Sequence, residues 1–176
     1  MFMSEVDVLD DVWLTYQTTV DSLNVVMRSV LKGNISALEK TNFIGESETE
    51  VLKKIRESRE HADDYVIMAL WTVFERVLFQ HVQNESKRLQ GNNVEKFTQA
   101  VYEKFENECE YWRVDDVLNL FKVVIDPNLI GNAKQVKKYR DWVAHKNIKK
   151  GQPQNVPPIV AYKVLSEIIK QLKVLM

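Results

Sequence analysis

Glycine and proline are scarce in this chain, at 5 and 4 of 176 residues. With so few residues able to turn or break the backbone, a fold of many short strands is excluded and few, long elements are expected. The one cysteine, Cys109, excludes an internal disulfide, a CxxC redox pair and a metal site built on paired thiolates; a reducing compartment fits. There is no long hydrophobic run. The longest, Val66 to Phe74, falls far short of the roughly 20 residues that span a bilayer. The first residues, Met-Phe-Met-Ser-Glu-Val-Asp-Val-Leu-Asp-Asp, are acidic where a signal or transit peptide would be basic. These absences predict a cytoplasmic protein that is not inserted in a membrane. A phosphate-binding glycine loop, HExxH and GxSxG are missing too, and no metal or other cofactor is expected.

What is present is ordinary globular material, 45% hydrophobic and 28% charged, enough for one domain over residues 1–176. Val6, Leu9, Trp13, Tyr16, Val20, Leu23, Met27 and Val30 recur at spacings of three and four, which predicts a long amphipathic helix stopped by Gly33-Asn34. Ser47 and Glu50 have capping-box spacing and predict the start of a second long helix. It runs to about Leu89, with a bend allowed near Ser58 to His61, and Val66 to Phe79 forms the centre of the core. Gly91-Asn92-Asn93 ends it. A third helix is marked by Val94, Phe97, Val101, Phe105, Cys109 and Trp112, and a shorter one runs from Asp115 to before Asp126-Pro127. Asn132 is read as the N-cap of a helix from Ala133 to about Lys146. Residues 151–158, with three prolines, form a loop before a last helix that carries Val160, Val164, Leu165, Ile168, Leu172 and Leu175. No segment alternates as a strand does. The expected fold is all-α, an antiparallel bundle of five to six helices, with Trp13, Val66, Ala69, Val73, Phe105, Val143 and Leu165 buried.

Charge is unevenly spread. Between Lys134 and Lys150 lie seven cations and one anion, Asp141, so that segment carries +6 and the rest −7 in a chain of net charge −1. A solvated helix face is the plain explanation; a local site for a polyanion is the functional one. His61 is expected at the surface or in a structural role and His81 in the core. His145 has different company: Arg140, Asp141, Trp142, Val143 and Ala144 precede it. Asp141 and His145 are four apart and stack on one helix face, so the carboxylate can orient the imidazole. Arg140 lies about 140 degrees round the helix, and joins His145 at one site only if its arm folds over or a second subunit completes the site.

An arginine, a polar residue, three more residues and a histidine, late in an all-helical chain, resemble the signature of HEPN domains, and Arg140 to His145 fit it with Asp141 as the polar residue. The stretch Ala69 to Leu78 is similar to the inner helix of stand-alone bacterial HEPN proteins, where Glu75 takes the place of an acidic residue that accompanies the motif. The resemblance implies a metal-independent endoribonuclease of the toxin or phage-defence kind. Arg140 would neutralise the scissile phosphate, His145 would move protons, Asp141 would position the histidine, and Lys137, Lys138, Lys146, Asn147 and Lys149 would bind RNA. It also implies a two-fold homodimer with the motif helices facing a shared cleft, and an antitoxin or regulatory protein as a partner. Toxins of this kind that are paired with nucleotidyltransferases have a tyrosine where this chain has Asn147, so regulation through that tyrosine is not carried over. The alternatives are a non-catalytic HEPN module that binds RNA or a protein, and an unrelated helical adaptor. A helix-turn-helix DNA binder fits less well, because a proline-rich loop follows the basic helix.

Overall fold

A computed structural model describes residues 5–87, 96–145 and 151–174. Among these residues six α-helices run in chain order: α1 (Glu5–Leu31), α2 (Glu48–Lys87), α3 (Lys96–Glu108), α4 (Val114–Leu120), α5 (Pro127–His145) and α6 (Pro158–Val174). Short 3-10 turns at Ile35–Leu38, Cys109–Tyr111 and Phe121–Val123 join them, and no strand occurs among the described residues. The chain is an all-α bundle. None of its described helices is long and apolar enough to cross a membrane.

The helix boundaries have local causes. Gly33 takes a positive φ of 64° after α1. Its N–H then donates to Val30 O at 2.9 Å and that of Asn34 to Ser29 O at 3.0 Å, closing the last carbonyls in a Schellman pattern. At the start of α2 the capping box is formed as expected: Ser47 N–H donates to Glu50 Oε2 at 3.0 Å and Glu50 N–H to Ser47 Oγ at 3.3 Å. α2 then continues unbroken for 40 residues, about 60 Å at 1.5 Å per residue. The expected stop at Gly91-Asn92-Asn93 lies outside the described residues.

The start of α5 corrects the sequence reading. Asn132 does not cap it; the helix begins five residues earlier, at Pro127, and Asp126 is its cap, its Oδ1 accepting the Asn128 N–H at 2.8 Å. The proline that ends the preceding segment also opens the next helix, because its fixed φ suits a first helical position whose N–H has no partner in any case. Gly131 and Asn132 are thereby placed inside the helix.

α2 is the axis of the molecule. It packs on α1, α5 and α6 and, toward its C-terminal end, on α3 and α4. The main core gathers Ile67, Leu70, Trp71, Phe74 and Leu78 of α2 with Leu9 of α1, Ile130 and Val136 of α5, and Leu165, Ile168 and Ile169 of α6. Fully burying a side chain such as Phe74 is worth about 1.5–3 kcal/mol. A smaller cluster, Val30, Val51 and Ile55, holds the far ends of α1 and α2 together. Of the residues expected inside, Val66, Val143 and Leu165 are buried, whereas Trp13, Val73 and Phe105 are half-buried. Ala69 is exposed, a correction: it lines an open groove with Val12, Thr15, Ala62 and Tyr65, whose walls among the described residues come from α1 and α2 alone. His81 is buried, its ring 5.6 Å from that of Phe121, and His61 is exposed and stacks on Tyr65.

Candidate active site

The last turns of α5 carry the motif. Val136, Tyr139 and Val143 recur at spacings of three and four and turn one face of the helix into the core. Arg140 falls beside that buried stripe and His145 on the opposite side, since residues advance by 100° each. The consequences are visible in the side chains. Arg140 is 29% exposed and its Nε is buried without a hydrogen-bond partner among the described residues, whereas His145 is open to solvent.

Asp141 links the charged groups here. Its Oδ1 accepts from the Arg140 guanidinium at 3.0 Å and its Oδ2 from Lys137 Nζ at 2.9 Å. Lys137 also reaches Asp115 at the start of α4, at 3.2 Å. Burial pushes the Asp141 carboxyl up, but the bonds from Lys137 and Arg140 win and hold it below the usual carboxylate range. For Lys137, likewise, burial pulls down while Asp141 and Asp115 raise it, and the carboxylates prevail. Both oxygens of Asp141 are thus committed to permanent cations, and the expected pairing of Asp141 with His145 is not formed. The helix offers the carboxylate Lys137 one turn before and His145 one turn after, and the ammonium, itself held by a second carboxylate, takes the place.

Tyr139 fixes this end of α5 to α2. Its hydroxyl donates to Asp64 Oδ1 at 2.8 Å, and its ring lies 5.9 Å from that of Trp142. Burial, and then the bond to Asp64, raise the phenol well above its ordinary value. The neighbouring carboxylate does the same for α1: Asp63 Oδ1 accepts from Tyr16 at 2.6 Å and from Arg59 Nε at 3.1 Å, and burial together with Asp63 pushes the Tyr16 phenol up to about 12. Two successive aspartates of α2 therefore each hold a tyrosine from a different helix. Asp63, Asp64, Tyr139 and Asp115 were not singled out from the sequence as site residues. The available signal was a pair of acids on the helix that carries the core, and a tyrosine directly before the arginine.

The other expected site residues are scattered. Glu75 is half-buried on α2, eleven residues beyond Asp64 or about 16 Å along the axis, and has no hydrogen bond or ion pair with Arg140, Asp141 or His145. Lys138 is exposed; Lys134 is bonded to Asn119 Oδ1 at 2.8 Å; Lys137, expected to be free for RNA, is half-buried and doubly ion-paired. Lys146, Asn147 and Lys149 lie outside the described residues. Among the described residues no three His, Cys, Asp or Glu side chains gather with the geometry to hold a metal ion. Comparison with protein-family models, with curated proteins and with solved structures finds no match for the chain.

Proposed function

We propose that this chain is a HEPN-like endoribonuclease that cleaves RNA through attack of the 2'-OH, with Arg140 and His145 as its catalytic residues. The observation that carries the proposal is that the last turns of one helix hold a guanidinium fixed by Asp141 and, five residues on, an imidazole open to solvent. RNA supplies its own nucleophile, so the protein needs only to move protons and offset charge on the phosphate. His145 takes the proton of the 2'-OH; the oxygen bonds to phosphorus; the 5'-oxygen leaves and collects a proton. The products are a 2',3'-cyclic phosphate and a 5'-hydroxyl. Arg140 stabilises the added negative charge.

Arg140 and His145 of one chain lie on opposite sides of α5, and one displacement calls for both an acid and a base. A two-fold homodimer that sets two α5 ends across a cleft supplies the second imidazole. A protein that acts as a toxin or in defence against phage, held in check by a partner protein, is the biological setting we propose.

The test is labelled RNA incubated with the protein in EDTA, comparing wild type with His145→Ala. Cleavage by wild type alone, leaving cyclic phosphate ends, supports the assignment; no cleavage of several structured and unstructured RNAs overturns it. Mixing wild type with excess His145→Ala chains probes the dimer, because a cleft that needs an imidazole from each chain loses activity as mixed dimers form, whereas an independent site keeps the activity of the wild-type chains. A second function is favoured by one observation: in a single chain the His145 ring is not oriented by Asp141. A non-catalytic module that binds RNA through the same face would bind tightly and cut nothing.

A further inference from the structure

We propose that the pocket between α5, the segment before α6 and the first turn of α6 receives one unpaired base of single-stranded RNA, with adenine preferred. This rests on the RNA-cleaving function proposed above. Four carboxamides, Asn132, Gln135, Gln154 and Asn155, line the pocket together with apolar Val136 and Pro157. No charged side chain lines it, and its volume of about 340 Å³ is at the small end of the roughly 300–1,000 Å³ of ligand sites. That lining does not suit a phosphate. It suits a flat, neutral group with donors and acceptors along its edge, since each carboxamide offers both and can meet N6 and N7 of adenine together. Bases in single-stranded RNA are free to present those edges.

Two further observations mark the pocket as more than a gap in the packing. Gly131 and Asn132 stand inside α5, where both are poor helix formers. A Cβ built on Gly131 meets nothing within 4 Å, so packing does not demand the glycine, and Asn132 caps no helix. A local rule broken without a structural return is what a functional position leaves behind. None of the four carboxamides is tied down by a hydrogen bond to another described residue. The pocket is also in line with the motif. Gln135, Lys138 and His145 are separated by three and seven residues, so they fall on one stripe of α5. Lys138 is exposed between the two others, and ten residues of helix set His145 about 15 Å from Gln135. A strand whose scissile phosphate is at His145 can pass Lys138 and place a base a few nucleotides away in the pocket.

The experiment is cleavage of a random-sequence RNA pool in EDTA, with the ends sequenced, for wild type and for Asn132→Ala/Gln135→Ala. Alanine favours the helix, so the variant keeps its fold, which circular dichroism checks. Wild type is expected to favour adenine about 5- to 150-fold at one fixed offset from the cut, and the variant to lose that preference to within about twofold while still cutting. Cutting without any base preference, or a preference that survives in the variant, overturns the pocket and leaves the nuclease standing. If wild type cuts nothing, the nuclease fails, and the pocket is judged separately by titrating adenosine monophosphate into the wild-type protein. Shifts in the side-chain amide resonances of Asn132 and Gln135 support it, and their absence overturns it.

Discussion

The two faces of α5 are built on opposite terms. One turns Ile130, Ala133, Val136, Tyr139 and Val143 into the core, and the polar groups beside it are bonded: Tyr139 to Asp64, and Lys137 to Asp115 and Asp141. The other carries Lys138 and His145 into solvent, and neither is bonded to another described residue. The motif straddles this divide, with Arg140 on the fixed side and His145 on the free side. Side chains on the fixed face contribute both to stability and to the site, whereas those on the free face are available for chemistry at almost no cost to the fold. Each residue of α5 should accordingly affect activity, stability or both according to its face.

The largest effect is expected on the free face. His145→Ala should lower RNA cleavage about 100- to 10,000-fold, the range for a positioned acid or base, and change unfolding free energy by no more than about 0.5 kcal/mol, as for an exposed side chain. Cleavage rates and urea unfolding on the same preparations check both halves, and a large loss of stability would break the contrast. On the fixed face the weights reverse. Ile130→Ala, at a fully buried position, should cost about 2–5 kcal/mol of stability, with cleavage measured well below the transition nearly unchanged.

Tyr139→Phe tests the polar half of the fixed face. Removing its bond to Asp64 should cost about 1 kcal/mol, less than for a fully buried charged acceptor because Asp64 keeps access to water. The same bond, and that of Tyr16 to Asp63, give the protein an alkaline limit. Both phenols are harder to ionise folded than unfolded, Tyr16 moving from 10.0 to about 12 and Tyr139 upward as well. Above about pH 10 the unfolded chain therefore releases protons that the native chain keeps, and stability falls as pH rises, while below pH 10 these groups leave it unchanged. Denaturant midpoints from pH 8 to 11 should fall for wild type and fall less steeply for Tyr139→Phe. The smallest effect is that of Lys138→Ala: no change in stability, and a slope of log affinity for RNA against log salt reduced by about 1.

Much of the fold was legible in the sequence because its signals are local. The period of apolar residues gives α1, α2 and α6; Gly33-Asn34 and the Ser47–Glu50 box set two helix ends within a residue or two of where they stand. Asn132 was misread because an asparagine before an alanine looks like a cap, while the stronger pair, Asp126 with Pro127, looked only like the end of what came before. The site was half legible. The spacing of Arg140 and His145 could be read, but not which partner Asp141 takes, since Lys137 and His145 are equally distant along the helix.

The sequence by itself determined that this protein is helical, where several of its helices start and stop, and that Arg140 and His145 end up near one helix terminus, because these depend on interactions reaching four or five residues along the chain. Only the tertiary structure decided that Asp64 anchors Tyr139 from 75 residues away, that Asp115 of α4 helps draw Lys137 to Asp141, and that Glu75 stays apart from the motif. Those outcomes depend on which faces of α2, α4 and α5 meet, and that is set by packing the whole apolar surface at once.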